Sequence, residues 1–266
     1  MKISEALRHA GLSSAVLRRI LCELLGCSFE KLFLLANDSL SAEQERRFLE
    51  ICSLFSSGMP LEYIFGRASF MGLEFDVSPA VLIPRDETEI LVLKCLEISK
   101  NFNEPVIFDI CTGSGIIAIS LALALKKAKI YASDISPAAL KIAKQNAKKL
   151  GAENIEFLCG DLLDKLLPKA DIIVSNPPYI ANDYKLDIWL RAEPSLALFG
   201  GIRGDEILKR LIAQSVGRTQ YLLCEMGYDQ KNSMQKALGK HGAKCEFYKD
   251  LAGFDRGFVA EFFYEF

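Results

Sequence analysis

Asn176-Pro177-Pro178-Tyr179 sets a side-chain amide beside two rigid rings and an aromatic face. Pro177 and Pro178 carry no N–H and hold φ nearly fixed, so nearby backbone carbonyls can point outward instead of closing a turn. Asn176 offers a carbonyl acceptor and an NH2 donor on one side chain. Tyr179 offers a flat surface for stacking. Together they match a planar target that bears an NH2 group and reacts at that nitrogen. A glutamine amide qualifies, and so does the exocyclic amine of adenine. Asn176, Pro177 and Tyr179 are therefore the candidate catalytic groups, and with Pro178 they form the candidate substrate site. Taken alone, the string also fits a plain surface turn after a strand.

A second constellation lies upstream. Asp109-Ile110-Cys111-Thr112-Gly113-Ser114-Gly115 stands where an apolar strand meets an apolar helix. Glycines there permit a tight turn and a close backbone approach to a ligand, and helix-start N–H groups face the crevice. About 20 residues on, Asp134 closes the next strand, where a carboxylate can accept hydrogen bonds from ribose hydroxyls. Gly160-Asp161-Leu162 follows the third strand; Asp161 can accept from an adenine amino group and Leu162 can cover the ring. The candidate cofactor residues are Cys111, Thr112, Gly113, Ser114, Gly115, Asp134, Asp161 and Leu162, with Asn176 on the adjoining strand. Gly113, Gly115 and Ala118 also fit the relaxed glycine pattern of dinucleotide binders, so this loop does not by itself separate S-adenosylmethionine from NAD. With S-adenosylmethionine, the sulfonium methyl is already electrophilic and no acid–base dyad is required.

These groups need a parallel sheet to gather them. Val106–Cys111, Lys129–Asp134, Ile155–Leu158, Asp171–Ser175 and Tyr221–Met226 read as strands. Asp86–Ser99, Ser114–Leu125, Pro137–Leu150, Asp205–Val216 and Asp229–His241 read as helices, and Cys245–Lys249 and Phe258–Tyr264 as two closing strands with no helix between. This alternation implies a doubly wound α/β sheet, mostly parallel, with an antiparallel end. The long segment Tyr179–Gly204 has little periodicity, as functional loops often do. Before residue 59 the pattern is helical: Ser13–Leu25, Phe29–Ala36, and a helix opened by the capping box of Ser41 and Gln44. Tyr63–Phe70 and Leu73–Val77 read as a strand pair turned at Met71-Gly72. The expected domains are 1–58, helical and substrate-docking; 59–85, a linker with the hairpin; and 86–266, the cofactor and catalytic domain.

Composition narrows the choice. Net charge is −2, and neither the first 80 residues nor the remainder has a basic excess. Stable nucleic-acid binding is disfavoured on that balance. Eight irregularly spaced cysteines and two histidines read as buried free thiols without a metal site. The apolar run Ile116–Leu125 is far short of a membrane span, and the start lacks the order of a signal peptide, so a cytoplasmic protein is expected.

Carried on these residues, the sequence strongly resembles the bacterial release factor glutamine methyltransferases, the HemK/PrmC family. Pro60-Leu61-Glu62-Tyr63-Ile64-Phe65-Gly66, Leu82-Ile83-Pro84-Arg85 with Glu87-Thr88-Glu89, and the glycine loop stand in the family's order. So do Asn176-Pro177-Pro178-Tyr179-Ile180, Arg191 with Glu193-Pro194, Gly200-Gly201, and Asp250-Leu251-Ala252-Gly253 with Asp255-Arg256. The match covers nearly the whole chain. It implies a Rossmann-like class I methyltransferase with a small helical N-terminal domain and S-adenosylmethionine as cofactor; a monomer is expected. Its substrate would be the glutamine of the Gly-Gly-Gln loop of class 1 peptide chain release factors. Asp86, where the family usually has proline, and Leu162, where an aromatic residue is common, depart from the pattern. The rivals are glutamine methylation of a ribosomal protein, adenine-N6 methylation of DNA or RNA, and a nucleotide-binding module without catalysis.

Overall fold

Ser13, Ser28 and Ser41 each convert extended backbone into a helix start. Their hydroxyls accept from the N–H of Val16, Lys31 and Gln44, and Gln44 returns the bond to the Ser41 N–H. Caps of this kind are worth about 1 kcal/mol each. They open α2 (Ser14–Leu25), α3 (Phe29–Leu34) and α4 (Ala42–Ser56); α1 (Ile3–Ala6) precedes them and α5 (Leu61–Phe65) follows. Leu17, Ile20, Leu21, Leu32, Phe48, Ile51 and Leu61 pack into one core. The computed structural model describes residues 1–164 and 169–263, and its two compact units are Met1–Gly66 with Leu186–Ala192, and Arg67–Lys185 with Glu193–Phe266. Within the first unit, Trp189 lies 5.7 Å from the Phe55 ring.

The strand expected from Tyr63 begins later. Pro60 caps α5 and Gly66, at φ 72°, ends it, so Tyr63 and Phe65 are helical and β1 is Arg67–Phe70. It pairs antiparallel with β2 (Leu73–Asp76) through Met71 and Gly72, both at positive φ, as a two-residue hairpin turn demands.

The second unit continues through α6 (Glu87–Ser99), β3 (Val106–Ile110), α7 (Ile116–Ala124), β4 (Lys129–Asp134), α8 (Pro137–Leu150), β5 (Ile155–Cys159) and β6 (Ala170–Ser175). After β7 (Ile180–Ala181) come α9 (Ser195–Leu198), β8 (Phe199–Gly201), α10 (Glu206–Ser215), β9 (Thr219–Glu225), α11 (Lys231–Gly239), β10 (Lys244–Lys249) and β11 (Asp255–Glu261). The segment expected as a long loop is thus partly structured. The last strand starts earlier than Phe258 because Asp255 pairs with Lys249; Tyr264 lies outside the described residues.

The main sheet runs β10-β11-β9-β6-β3-β4-β5. From β9 to β5 neighbours are parallel, and β11 and β10 are antiparallel. Alternation along the strands feeds two cores: Ile107, Ile130, Ile172, Val174 and Leu223 go to one, and Phe108, Ile110, Tyr131, Ile173 and Leu222 to the other. Each such side chain contributes about 1.5–3 kcal/mol of burial. Strand order reverses on either side of β3, and the carboxyl ends of β3, β4 and β6 open there onto one crevice, the usual ligand position in such sheets. Among the described residues no helix is long and apolar enough to cross a membrane.

Candidate active site

The crevice holds a cavity of about 280 Å³. Of the residues read from sequence, Cys111, Thr112, Gly113, Ser114, Asp134, Asp161, Leu162, Asn176 and Pro178 line it. Gly115, Pro177 and Tyr179 do not. Gly115 caps α7 at φ 86°, and a Cβ there would meet Ile119 at 2.9 Å and Ala143 at 3.2 Å. It lets α7 and α8 pack closely, and α7 therefore starts at Ile116 and not at Ser114. Three non-glycine residues have positive φ, among the described ones, and two of them, Cys111 and Leu162, line the cavity. Strain of this kind persists where surrounding structure enforces it.

Asp134 ties the floor together. Its Oδ2 accepts from the Gly113 N–H at 2.9 Å and its Oδ1 from the Ser136 N–H at 2.8 Å. Burial raises its carboxyl above the ordinary range, and these backbone bonds oppose that. Asp109 beneath accepts from the Thr112 hydroxyl and the Ala118 N–H, and burial pushes it up to about 7. Asp161 is held at the rim by Arg210, whose Nη2 donates to it at 2.6 Å.

Several residues missed as site members hold the walls. Glu193 accepts from the Ile83 N–H at 3.0 Å and pairs with Arg85. It fastens the Leu82–Arg85 stretch to the Pro194–Ala197 stretch, and both line the cavity. Asn146, fully buried on α8, donates to the carbonyls of Ser114 and Asp76 and accepts from the Asp76 N–H. The family motifs marked Arg85 and Glu193, whereas Asn146 sits on a helix with an ordinary amphipathic pattern and has no local signal.

At the end of β6 the Asn176 Nδ2 donates to the Thr88 hydroxyl at 3.1 Å. Thr88 is wholly buried and donates to Glu225 Oε2 at 2.7 Å. Glu225 Oε1 accepts from the Tyr179 hydroxyl at 2.9 Å. Burial raises the Glu225 carboxyl, and the bonds from Thr88 and Tyr179, with the charge of Arg256, oppose this. Asp250 accepts from Arg256 at 2.8 and 3.0 Å, which explains the Asp250–Arg256 motif. Tyr179 is thus engaged through its hydroxyl in a polar network. Burial and then Glu225 hold its phenol well above the ordinary range, so it is a neutral donor. Asn176 Oδ1 accepts no hydrogen bond among the described residues.

Residues 1–66 match the family model described as PrmC N-terminal domain, and residues 85–191 that of the methyltransferase small domain. A release factor glutamine methyltransferase of Moorella thermoacetica is 38% identical, spanning 97% of this chain and 96% of its own. One from Bacillus subtilis is 36% identical, spanning 97% and 94%. The chain belongs to the release factor glutamine methyltransferases. The ribosomal protein L11 methylase of Lactobacillus delbrueckii subsp. bulgaricus shares the fold of this methyltransferase, with a TM-score of 0.51, 24% identity, and coverage of 70% of this chain and 83% of that one.

S-adenosylmethionine is the cofactor of this methyltransferase, and the residues present fit it. A carboxylate that burial has destabilised, Asp134, lines a mainly apolar cavity and is stabilised by hydroxyl donors such as those of a ribose. Asp134→Ala is expected to raise the dissociation constant for S-adenosylmethionine by roughly 10–100-fold, the value of a charge-assisted hydrogen bond. Asp134→Asn, which keeps one acceptor, should lose less. Calorimetry on the folded variants checks both, and an unchanged affinity in Asp134→Ala removes Asp134 from the cofactor site.

Proposed function

We propose that this methyltransferase acts on the N5 amide nitrogen of the glutamine in the Gly-Gly-Gln motif of class 1 peptide chain release factors. The observation that carries the reading is Asn176: its NH2 is committed to Thr88, which leaves its Oδ1 as an acceptor at the cavity wall. An amide nitrogen is a poor nucleophile because its lone pair is delocalised. Asn176 Oδ1 and the Pro177 carbonyl hold its two N–H bonds and turn the lone pair toward the methyl. Orientation of this kind supplies up to roughly 7–11 kcal/mol of a barrier. The same acceptors stabilise positive charge as it builds on nitrogen. S-adenosylmethionine supplies the electrophilic methyl group. Cys111–Gly115, Asp134, Asp161 and Leu162 hold the cofactor in this reading, and Asn176–Tyr179 form the substrate loop.

The test is incubation with radiolabelled S-adenosylmethionine and a release factor, a ribosomal protein preparation or adenine-containing DNA, followed by separation of the products. Label on the release factor glutamine supports the reading; label confined to the other substrates refutes it. Residues 1–58 dock the protein substrate. Phe33 and Leu34 are 60% and 85% exposed on this part. Replacing both by Glu is expected to raise KM for a release factor about tenfold while S-adenosylmethionine affinity stays within about twofold, since interface cores are enriched in aromatic residues and depleted of charge. An unchanged KM assigns docking elsewhere.

A further inference from the structure

We propose that Glu225, acting through the Thr88 hydroxyl, sets which end of the Asn176 amide faces the substrate. The inference rests on the reading of Asn176 Oδ1 as the acceptor for a glutamine NH2. It starts from hydrogen counting. Both Glu225 oxygens face hydroxyl donors, Thr88 at 2.7 Å and Tyr179 at 2.9 Å, and Arg256 acts on its charge. A carboxylate so placed only accepts. The single Thr88 hydroxyl proton must therefore go to Glu225, and the Thr88 oxygen keeps only lone pairs for its other neighbour. That neighbour is Asn176, at 3.1 Å. Two acceptors cannot share that contact, so Asn176 must turn its NH2 toward Thr88. Its carbonyl oxygen is then the end left for the cavity. Burial makes the rule strict: Glu225 is 1% and Thr88 0% exposed, so water cannot supply a substitute proton. An unpaired group at such a depth is costly.

Thr88 and Glu225 are thus positioning residues: they act through Asn176 and decide the polarity of the group proposed to touch the substrate. The direction of this relay explains why a threonine hydroxyl stands on α6 with its partner carboxylate at the end of β9. It also implies a selectivity. A site showing a carbonyl oxygen welcomes the NH2 of glutamine and repels the carboxylate of glutamate. Selectivity of this kind needs an opposing element as well as an attractive one.

The relay can be run backwards. In Glu225→Gln the Tyr179 hydroxyl still donates to the new carbonyl oxygen, which leaves the new NH2 facing Thr88. Thr88 then accepts there and donates to Asn176, whose amide turns over and shows NH2 to the cavity. The experiment measures single-turnover methyl transfer to a release factor, S-adenosylmethionine affinity by calorimetry, and competition by the same release factor with its target glutamine changed to glutamate. For Glu225→Gln we expect kcat to fall roughly 100-fold, as for loss of one preorganised electrostatic contact. Cofactor affinity should stay within about threefold, because the Asp134 floor is untouched, and competition by the glutamate form should strengthen about tenfold or more, the value of a charge-assisted hydrogen bond gained. Thr88→Val, which breaks the relay without reversing it, should lower kcat with no gain for the glutamate form. Thr88→Ser should restore kcat to within a few-fold of wild type.

Wild-type transfer to the release factor glutamine serves as the control for the functional reading. Its failure would sink that reading, whereas normal wild-type transfer with an unaltered Glu225→Gln enzyme would sink the positioning proposal alone. A Glu225→Gln enzyme that keeps its kcat would overturn the proposal. So would one that loses kcat with no shift between glutamine and glutamate, which is the signature of a merely structural carboxylate. If Glu225→Gln does not fold, the Thr88→Val and Thr88→Ser pair decides: equal activity of the two overturns it.

Discussion

Asn176→Ala should methylate a release factor roughly 100–1000-fold more slowly than wild type at saturating S-adenosylmethionine, the usual cost of one lost contact in a preorganised electrostatic site. The side chain joins two tasks. Its Nδ2 is fixed by Thr88, and its Oδ1 is the acceptor proposed to gain strength as positive charge builds on the attacking nitrogen, so its removal acts on the transition state more than on the ground state. Cofactor affinity should stay within a few-fold, because Asp134 and the Gly113 loop remain in place. Asn176→Asp should fare no better. The carboxylate restores an acceptor but has no proton for Thr88, whose own proton is committed to Glu225, and it adds a negative charge beside that carboxylate. Single-turnover transfer with calorimetry separates these effects. A folded Asn176→Ala enzyme within a few-fold of the wild-type rate would show that the substrate amide is held elsewhere.

Gly200→Ala is expected to be nearly as damaging, about 100-fold in kcat, the cost of an ångström-scale displacement of a reacting group. A Cβ at Gly200 would lie 2.2 Å from the Gly204 carbonyl oxygen, 2.5 Å from that of Pro178 and 2.9 Å from the Tyr179 Cα. All three obstacles are backbone, so none can rotate aside. The clash falls on the Pro178–Tyr179 peptide, immediately after the proposed acceptors, where β7 pairs with β8. Gly239, around which there is open space and no positive φ, provides the control: Gly239→Ala should behave as wild type. Kinetics of both variants check the prediction, and a Gly200→Ala enzyme of normal kcat would show that the loop tolerates the shift.

The cofactor floor is legible in sequence because its signals are local. Gly113 and Ser114 follow an apolar strand, and Asp134 closes the next one, so strand–turn–helix order alone brings them together. The hairpin is legible for a similar reason, since Gly72 marks its turn. Residues 61–65 mislead because Tyr63 and Phe65 alternate like a strand while Pro60 and Gly66 impose a helical turn. Tyr179 is legible only in part. An aromatic residue after Pro-Pro suggests a stacking face, but nothing local foretells that its hydroxyl donates to Glu225, on another strand. Glu193, Thr88 and Asn146 share that difficulty: their partners are 32 to 137 positions away in the chain. Periodicity carries no information about such pairs, and only the family motifs mark the first two.

Asn146 has a consequence for how the protein breathes. Hairpins of two short strands are marginal on their own, yet here the Asp76 backbone and the Ser114 carbonyl of the cofactor loop hang from one buried side chain. Neither can peel away without leaving a buried polar group of Asn146 unpaired, a cost that couples the opening of the two segments. A ligand that binds only the closed form suppresses that shared opening. The Asp76 amide, outside the cavity lining, then registers cavity occupancy as slower hydrogen exchange, and the hairpin serves as a remote gauge of the methyl donor.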